Sequence, residues 1–281
     1  MNRTKEFLLR TVSTLVFIPL LLFFLFSSFK LLLPLLILVV ANWALFEFYN
    51  LSSKTGTKLF RFLGHICLIY LLLLPLLQFV TLRLFQPIEL WLVFLIGFTI
   101  YLFQSRDNTY SFFANAGVTI LGILYIGFPF SLLINLHLQN SGAWYILWLI
   151  LVTWFCDIGA YTVGSSLGKN KLIPSISPGK TVEGLIGGLF FSMIIAIIAW
   201  WFMGWKYHYL QFSFGTNIIM SLVIAGVGVI GDLAESVLKR KANLKDSGNT
   251  FTGHGGMLDV IDSLLFTIPI FYLFYRLTIS L

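Results

Sequence analysis

Charged residues are scarce in this chain, and their scarcity excludes a water-soluble globular protein. Asp, Glu, Lys and Arg make up 10% of the 281 residues, whereas hydrophobic residues make up 58%. The mean hydropathy is +0.93. Soluble domains carry about 25% charged residues. The sequence therefore predicts an integral membrane protein.

Cysteine is almost absent, and its scarcity argues against a disulfide framework or a cysteine metal centre. The two cysteines, Cys67 and Cys156, both lie inside apolar runs and show no spacing typical of metal ligands. We interpret both as small buried side chains.

Acidic residues are outnumbered, with 11 Asp and Glu against 18 Lys and Arg and a formal net charge of +7. A basic balance can indicate nucleic-acid binding, but no basic module interleaved with aromatic residues accompanies it here. Basic loops are expected at one side of a membrane protein. We therefore predict no nucleic-acid partner.

Long apolar runs fill most of the chain and predict an all-α, polytopic membrane protein, because a spanning helix needs about 20 apolar residues. Nine runs are recognised: residues 11–29, 31–51, 62–82, 88–103, 112–138, 143–163, 182–204, 213–237 and 257–279. We divide the chain into an N-terminal region of four spans over residues 1–110 and a catalytic region over residues 111–281.

The basic residues concentrate at one side of the predicted membrane. With nine spans and a cytoplasmic N-terminus, fourteen of the 18 Lys and Arg residues fall in cytoplasmic segments. Because positively charged loops stay in the cytoplasm, we expect an N-in, C-out topology in the cell (inner) membrane. Loops 164–181 and 238–256 then face the cytoplasm.

Carboxylates gather near the cytoplasmic ends of three predicted spans. Asp157 lies in the sixth span, and Asp232 and Glu235 close the eighth. Asp259 and Asp262 open the ninth with an i, i+3 spacing that puts both on one helix face. Clustered carboxylates stay ionised when a cation lies among them, and oxygen ligands suit Mg²⁺. The alternative is a set of salt bridges with nearby Lys and Arg side chains.

Both cytoplasmic loops combine glycines with lysines, which lets backbone N–H groups and ammonium groups approach phosphate oxygens. His254 lies beside Gly255 in the second loop. It is the one histidine for which we predict a functional role. Gly226-x-Gly-x-x-Gly231 copies a dinucleotide-binding pattern, but it lies inside a predicted span. We interpret it, and the Gly184–Gly188 pair, as close helix packing.

The spacing of the polar residues resembles the signature of phosphatidate cytidylyltransferases, also called CDP-diacylglycerol synthases. That signature reads S-x-x-K-R-x4-K-D and then H-G-G-x-x-D-R-x-D. The chain matches it at Ser236, Lys239, Arg240, Lys245, Asp246, His254, Gly255, Gly256, Asp259 and Asp262. A block similar to the family's S-P-x-K-T-x-E-G covers residues 177–184. Val260 departs from the pattern, since the family usually has Arg there, and Thr252 is a milder departure.

The resemblance implies an enzyme that makes CDP-diacylglycerol and pyrophosphate from CTP and phosphatidate for phospholipid synthesis. It also implies a homodimer and a Mg²⁺ centre of two cations, with Asp232, Asp259 and Asp262 as ligands. The catalytic residues that we predict are Asp232, Asp259, Asp262, Lys239, Arg240 and His254. The substrate-binding residues that we predict are Lys169, Ser177, Lys180, Thr181, Lys245 and Asp246.

Two other functions stay open at this point. Another CTP-dependent membrane lipid transferase would use a similar site, because no identified residue contacts the lipid tail. A cation-coupled transporter also carries acids within its spans. It predicts acids near the midplane and inverted repeats, whereas the acids here cluster at one face.

Overall fold

The computed structural model describes residues 18–79, 109–248 and 255–278, and helices dominate these ranges. This agrees with the predicted fold class. The helices in chain order are α1 (Leu32–Ser53), α2 (Arg61–Phe79), α3 (Thr109–Gly122), α4 (Phe128–Leu138), α5 (Gly142–Leu167), α6 (Val182–Ala199), α7 (Phe214–Lys241) and α8 (Met257–Thr278). Residues 18–26 are also helical and precede α1.

Within the described residues, six helical stretches are long and apolar enough to cross a membrane, as expected of an integral membrane protein. They are Leu32–Ser53, Phe113–Leu138, Gly142–Leu167, Val182–Lys206, Phe214–Lys241 and Met257–Thr278. Arg61–Leu77 is a shorter apolar helix. The predicted span at 88–103 lies outside the described residues, as does the beginning of the span at 11–29. The total of nine spans and their orientation therefore stay predictions.

Two of the crossing stretches pass through a π-helical turn. Ile123–Gly127 joins α3 to α4, and Trp200–Lys206 extends α6. Pro129 is the second residue after the first turn and has no N–H to donate to the helix. The helix nevertheless continues through the turn, so that Phe113–Leu138 forms one stretch.

A short antiparallel β-hairpin interrupts the helical fold. Its strands are β1 (Lys171–Ile173) and β2 (Ser177–Thr181), with Lys171 opposite Thr181 and Ile173 opposite Ser177. The sequence predicted only a loop here. β2 leads directly into α6, so that Lys180 lies two residues before the helix begins.

The chain divides into two compact units that are each discontinuous in sequence. The first unit comprises Met1–Leu138 and Lys241–Val260, and the second comprises Gln139–Arg240 and Ile261–Leu281. The predicted site residues are divided between them. The division at residue 110 separates regions by their predicted role and not by compactness, and it stays a prediction.

In the second unit, α5 and α6 pack closely because glycines line their interface. A Cβ atom at Gly159 would lie 2.7 Å from the carbonyl oxygen of Gly187, and one at Gly188 would lie 2.9 Å from that of Cys156. A Cβ atom at Gly184 would lie 2.8 Å from the carbonyl oxygen of Ala160. The packing predicted for Gly184 and Gly188 is confirmed.

A buried polar link joins three helices of the second unit. The indole N–H of Trp148 in α5 donates to Asn217 Oδ1 in α7 at 2.9 Å, and Asn217 Nδ2 donates to the carbonyl of Ala196 in α6 at 3.1 Å. Trp148 and Asn217 are completely buried. Since a buried amide is costly unless it is hydrogen-bonded, this link fixes the relative register of the helices that carry the candidate site.

The first unit has a comparable buried link. The Tyr49 hydroxyl of α1 donates to the carbonyl of Thr119 in α3 at 3.1 Å, and the Thr119 hydroxyl accepts the N–H of Phe60 at 3.2 Å. Cys67 is buried here and Cys156 is buried in the second unit, both as free thiols. The interpretation of both cysteines as packing residues is confirmed.

Candidate active site

In the second unit, an ion pair joins the hairpin to α7. Lys180 Nζ lies 2.8 Å from Asp232 Oδ2, and both side chains are partly exposed. The Ser236 hydroxyl, one turn further along α7, approaches Asp232 Oδ1 at 3.4 Å. A predicted substrate-binding lysine and a predicted catalytic aspartate are therefore together.

Carboxylates of α5 and α8 interact electrostatically with this ion pair. The charge of Asp262 in α8 interacts with those of Asp232, Glu235 and Asp157, and Asp157 in α5 also interacts with Lys180. Asp262 is buried, whereas the side chain of Asp157 is exposed. Asp157, Asp232, Glu235 and Asp262 thus interact as the sequence predicted, whereas Asp259 accepts its hydrogen bonds in the first unit. Like charges at close range repel one another, so the group favours cations, of which Lys180 is one.

Glu235 and Lys239 form a second ion pair in α7. Lys239 Nζ donates to Glu235 Oε2 at 2.6 Å, and their side chains are 13% and 0% exposed, respectively. The alternative of a helix-end salt bridge is therefore confirmed for Glu235. The i, i+4 pair also supports the helix at this point, and α7 continues to Lys241 rather than ending at residue 237 as predicted.

Arg240 is exposed at the end of α7, and its Nε donates to the carbonyl of Ile176 in the hairpin turn at 3.3 Å. This bond ties the turn to α7. Ser177, which begins β2, is partly exposed beside that turn. Both predicted site residues therefore lie at the turn of the hairpin that carries Lys180.

Glu183 holds the segment between α5 and β1. Its carboxylate accepts the backbone N–H of Lys169 at 3.1 Å and the side-chain amide of Asn170 at 2.8 Å. The Lys169 side chain itself is exposed. This arrangement keeps a basic side chain at the surface of the second unit, near the hairpin in sequence.

Thr181 has a structural role that the sequence did not predict. Its side chain is buried, and its hydroxyl accepts the N–H of Gly184 at 3.1 Å, so that it forms the N-cap of α6. Its predicted contact with substrate stays a prediction, and the capping bond accounts for the residue without it.

In the first unit, Asp259 accepts hydrogen bonds from the segment that leads into α8. Its Oδ2 accepts the backbone N–H of Ser247 at 2.8 Å, the Ser247 hydroxyl at 2.8 Å and the N–H of Gly256 at 2.7 Å. Gly256 directly precedes the helix, so Asp259 completes half of a capping box from the third helical position. Its predicted role as a metal ligand stays a prediction.

The remaining predicted residues lie on the segment between α7 and α8. Lys245 and Asp246 are exposed. His254 lies outside the described residues, so its predicted role stays a prediction. Val260, the departure from the family signature, is partly exposed in α8.

Sequence reasoning missed one acid, Glu47, in the middle of the apolar helix α1. It is 4% exposed, and it accepts the backbone N–H groups of Met257 and Leu258. A signal was present in the sequence, because a lone acid inside an apolar span is costly and is normally retained for a purpose. The sequence does not show which distant residues such an acid would contact.

The residues present fit a Mg²⁺ ion for which the protein supplies only some of the ligands. Among the described residues, no three or more His, Cys, Asp or Glu side chains form a metal-binding group. Mg²⁺ is usually bound by one or two carboxylates together with water and substrate phosphates. Asp232 and Asp262, within one group of interacting carboxylates, meet that smaller requirement.

Comparison with known proteins identifies the family. A family model described as "Cytidylyltransferase family" matches residues 8–278. A phosphatidate cytidylyltransferase of Bacillus subtilis (strain 168) is 42% identical over 166 residues, which cover 59% of this chain and 60% of the relative. One of Staphylococcus aureus (strain COL) is 36% identical over 185 residues, which cover 66% of this chain and 68% of the relative.

A third relative, the phosphatidate cytidylyltransferase of Staphylococcus saprophyticus, is 39% identical over 163 residues, covering 58% of this chain and 60% of the relative. The match therefore spans 60% to 68% of the length of these curated relatives.

Proposed function

This chain belongs to the cytidylyltransferase family, and we propose that it transfers the cytidylyl group of CTP to phosphatidate, forming CDP-diacylglycerol and pyrophosphate. The observation that carries the proposal is the group formed by Lys180 and the carboxylates of α5, α7 and α8 in the second unit. The relatives named above are phosphatidate cytidylyltransferases, which supports phosphatidate as the acceptor.

The chemistry requires alignment and charge neutralisation more than a strong base. An oxygen of the phosphatidate phosphate, already ionised near neutral pH, attacks the α-phosphorus of CTP. The bond from that phosphorus to the bridging oxygen breaks, and pyrophosphate leaves. Catalysis then depends on holding both phosphates in line and on stabilising charge on the transferring group. Lys180 contributes a positive charge next to Asp232 for this purpose.

The cofactor that we propose is Mg²⁺, with Asp232 and Asp262 as ligands. When bound, it supplies positive charge to the phosphates of CTP and lipid and offsets the repulsion among the carboxylates. The family resemblance adds a second cation with Asp259 as a ligand, and Asp259 Oδ2 also accepts three hydrogen bonds.

We also propose the cellular arrangement that the sequence indicates. The site faces the cytoplasm, where CTP is available, because fourteen of the 18 basic residues then lie on that side. The protein acts as a homodimer in the inner membrane, as the family resemblance implies.

A panel of acceptors tests the proposed reaction. Purified protein in detergent is given CTP with phosphatidate, with diacylglycerol or with a polyprenyl phosphate, and CDP-lipid is measured by mass spectrometry. We expect product from phosphatidate and its loss when a chelator removes Mg²⁺. Product from another acceptor alone would overturn the choice of substrate.

Asp262→Asn is the matched variant for this panel. We expect it to abolish turnover, because it removes one of the two proposed ligands, and to keep the melting temperature close to that of the wild type. Retained turnover would show that the carboxylate of Asp262 is structural.

A further inference from the structure

Glu47 is an acid in a place where a charge is expensive. It lies in the apolar helix α1 and is 4% exposed. A buried carboxylate costs several kcal/mol unless hydrogen bonds or a counter-charge compensate for it. The bonds that Glu47 makes therefore indicate what it does.

Both oxygens of Glu47 accept hydrogen bonds from the first unit. Oε1 accepts the N–H of Met257 at 3.0 Å and the indole N–H of Trp43 at 3.1 Å. Oε2 accepts the N–H of Leu258 at 2.9 Å and approaches the Ser247 hydroxyl at 3.1 Å. Two of these donors are the first two residues of α8.

The beginning of α8 needs such an acceptor from elsewhere. The first N–H groups of a helix have no partner within it, and a side chain at the preceding residue normally accepts one of them. That residue here is Gly256, which has no side chain. Asp259 accepts the N–H of Gly256, and Glu47 accepts the next two. A negative charge is also favourable at a helix N-terminus.

The glycines around Glu47 make room for its carboxylate. A Cβ atom at Gly248 would lie 2.6 Å from Glu47 Oε1, and one at Gly256 would overlap Oε2. The carboxylate thus occupies the space that an ordinary N-cap side chain would fill.

We propose that Glu47 is a positioning residue for the cytidylyl transfer, because it caps α8 from α1 and so fixes the start of the helix that carries Asp259 and Asp262. This inference rests on the proposed function. Residues that hold the ligands of a metal site typically change activity or metal affinity about 10- to 100-fold when they are replaced.

Glu47→Gln is the main test, because it keeps the size of the side chain and replaces one acceptor oxygen by a donor. Hydrogen exchange is measured on peptides that cover residues 255–260, alongside kcat and KM for CTP. We expect faster exchange at Met257 and Leu258 and a kcat that is about 10- to 100-fold lower. We expect a smaller change in KM, because the loss falls on transition-state alignment. Glu47→Asp, which keeps both oxygens, should recover part of the kcat.

Thr119→Val is the matched control, since it also removes a buried hydroxyl that hydrogen-bonds within the first unit, but to Phe60 and Asn115 and not to the start of α8. It should lower the melting temperature and leave kcat per folded molecule unchanged. Ser247→Ala serves if Glu47→Gln does not fold, because it removes the hydroxyl that lies 3.1 Å from Glu47 Oε2 and 2.8 Å from Asp259 Oδ2, and it should give a smaller fall in kcat.

The possible results distinguish a failure of this inference from a failure of the proposed function. Faster exchange with an unchanged kcat would make Glu47 a structural cap only, and a lower kcat with unchanged exchange would exclude the capping route; either overturns the inference. A wild-type protein without CDP-lipid product would instead overturn the proposed function, while the exchange measurement still reports whether Glu47 caps α8.

Discussion

Two buried glutamates of this chain are accommodated in different ways. Glu235 is completely buried and is neutralised by the ammonium group of Lys239 at 2.6 Å. Glu47 is satisfied largely by backbone N–H groups at the start of α8. A buried ion pair depends on both partners, because the loss of one leaves the other charge uncompensated. A carboxylate held by backbone groups depends on the conformation of the segment that supplies them.

Removal of Lys239 should destabilise the protein strongly. We expect Lys239→Met to lower the free energy of unfolding by about 3–5 kcal/mol, because Glu235 would stay buried without its counter-charge. Unfolding in mixed micelles, followed by circular dichroism, measures the effect.

The double variant Glu235→Gln with Lys239→Met is the control for this prediction. It should recover most of the lost stability, since no charge is left buried. If Lys239 also binds phosphate, as the sequence predicts, the stable double variant should remain inactive. A double variant no more stable than Lys239→Met would contradict the ion-pair explanation.

At the scale of elements, glycines determine how α5 and α6 approach each other. Gly159→Ala should lower stability by about 1–3 kcal/mol, as expected when a group is forced into a packed interface. The added Cβ would lie 2.7 Å from the backbone oxygen of Gly187, which cannot move independently of its helix. Thermal melting in detergent measures the loss.

Gly226→Ala in α7 is the matched control, because no atom lies within 4 Å of the added Cβ. It should cost nothing and add up to about 1 kcal/mol through better helix propensity. Equal losses for both variants would show that the cost does not arise from helix contact. The same geometry corrects part of the sequence interpretation, since Gly226 is not at a close contact whereas Gly231 is.

The helices could be predicted from the sequence, and the hairpin could not. Long apolar runs specify spans by length alone, and α8 begins at Met257, where the apolar run begins. The Ser177–Thr181 strand has no alternation of apolar and polar residues, so the period of a strand is missing from its sequence. Only the structure shows that it presents Lys180 to Asp232.

At the scale of the whole molecule, four of the predicted acids interact in the second unit: Asp157, Asp232, Glu235 and Asp262. Topology was sufficient to predict this, because helix ends on one side of a membrane lie at similar depth. The pairing of individual charges was not predictable, since it depends on side-chain distances. Glu47 illustrates the limit, because its partners Met257 and Leu258 lie more than 200 positions later in the chain.

In the proposed reaction a nucleotidyl group, and not a phosphoryl group, moves from CTP to the lipid. Purified protein is incubated with Mg²⁺, phosphatidate and CTP labelled with ³²P at either the α or the γ position. We expect α-label in the lipid product and γ-label in pyrophosphate, in equal amounts. Transfer of the γ-label to lipid, or the absence of α-label from it, would exclude nucleotidyl transfer.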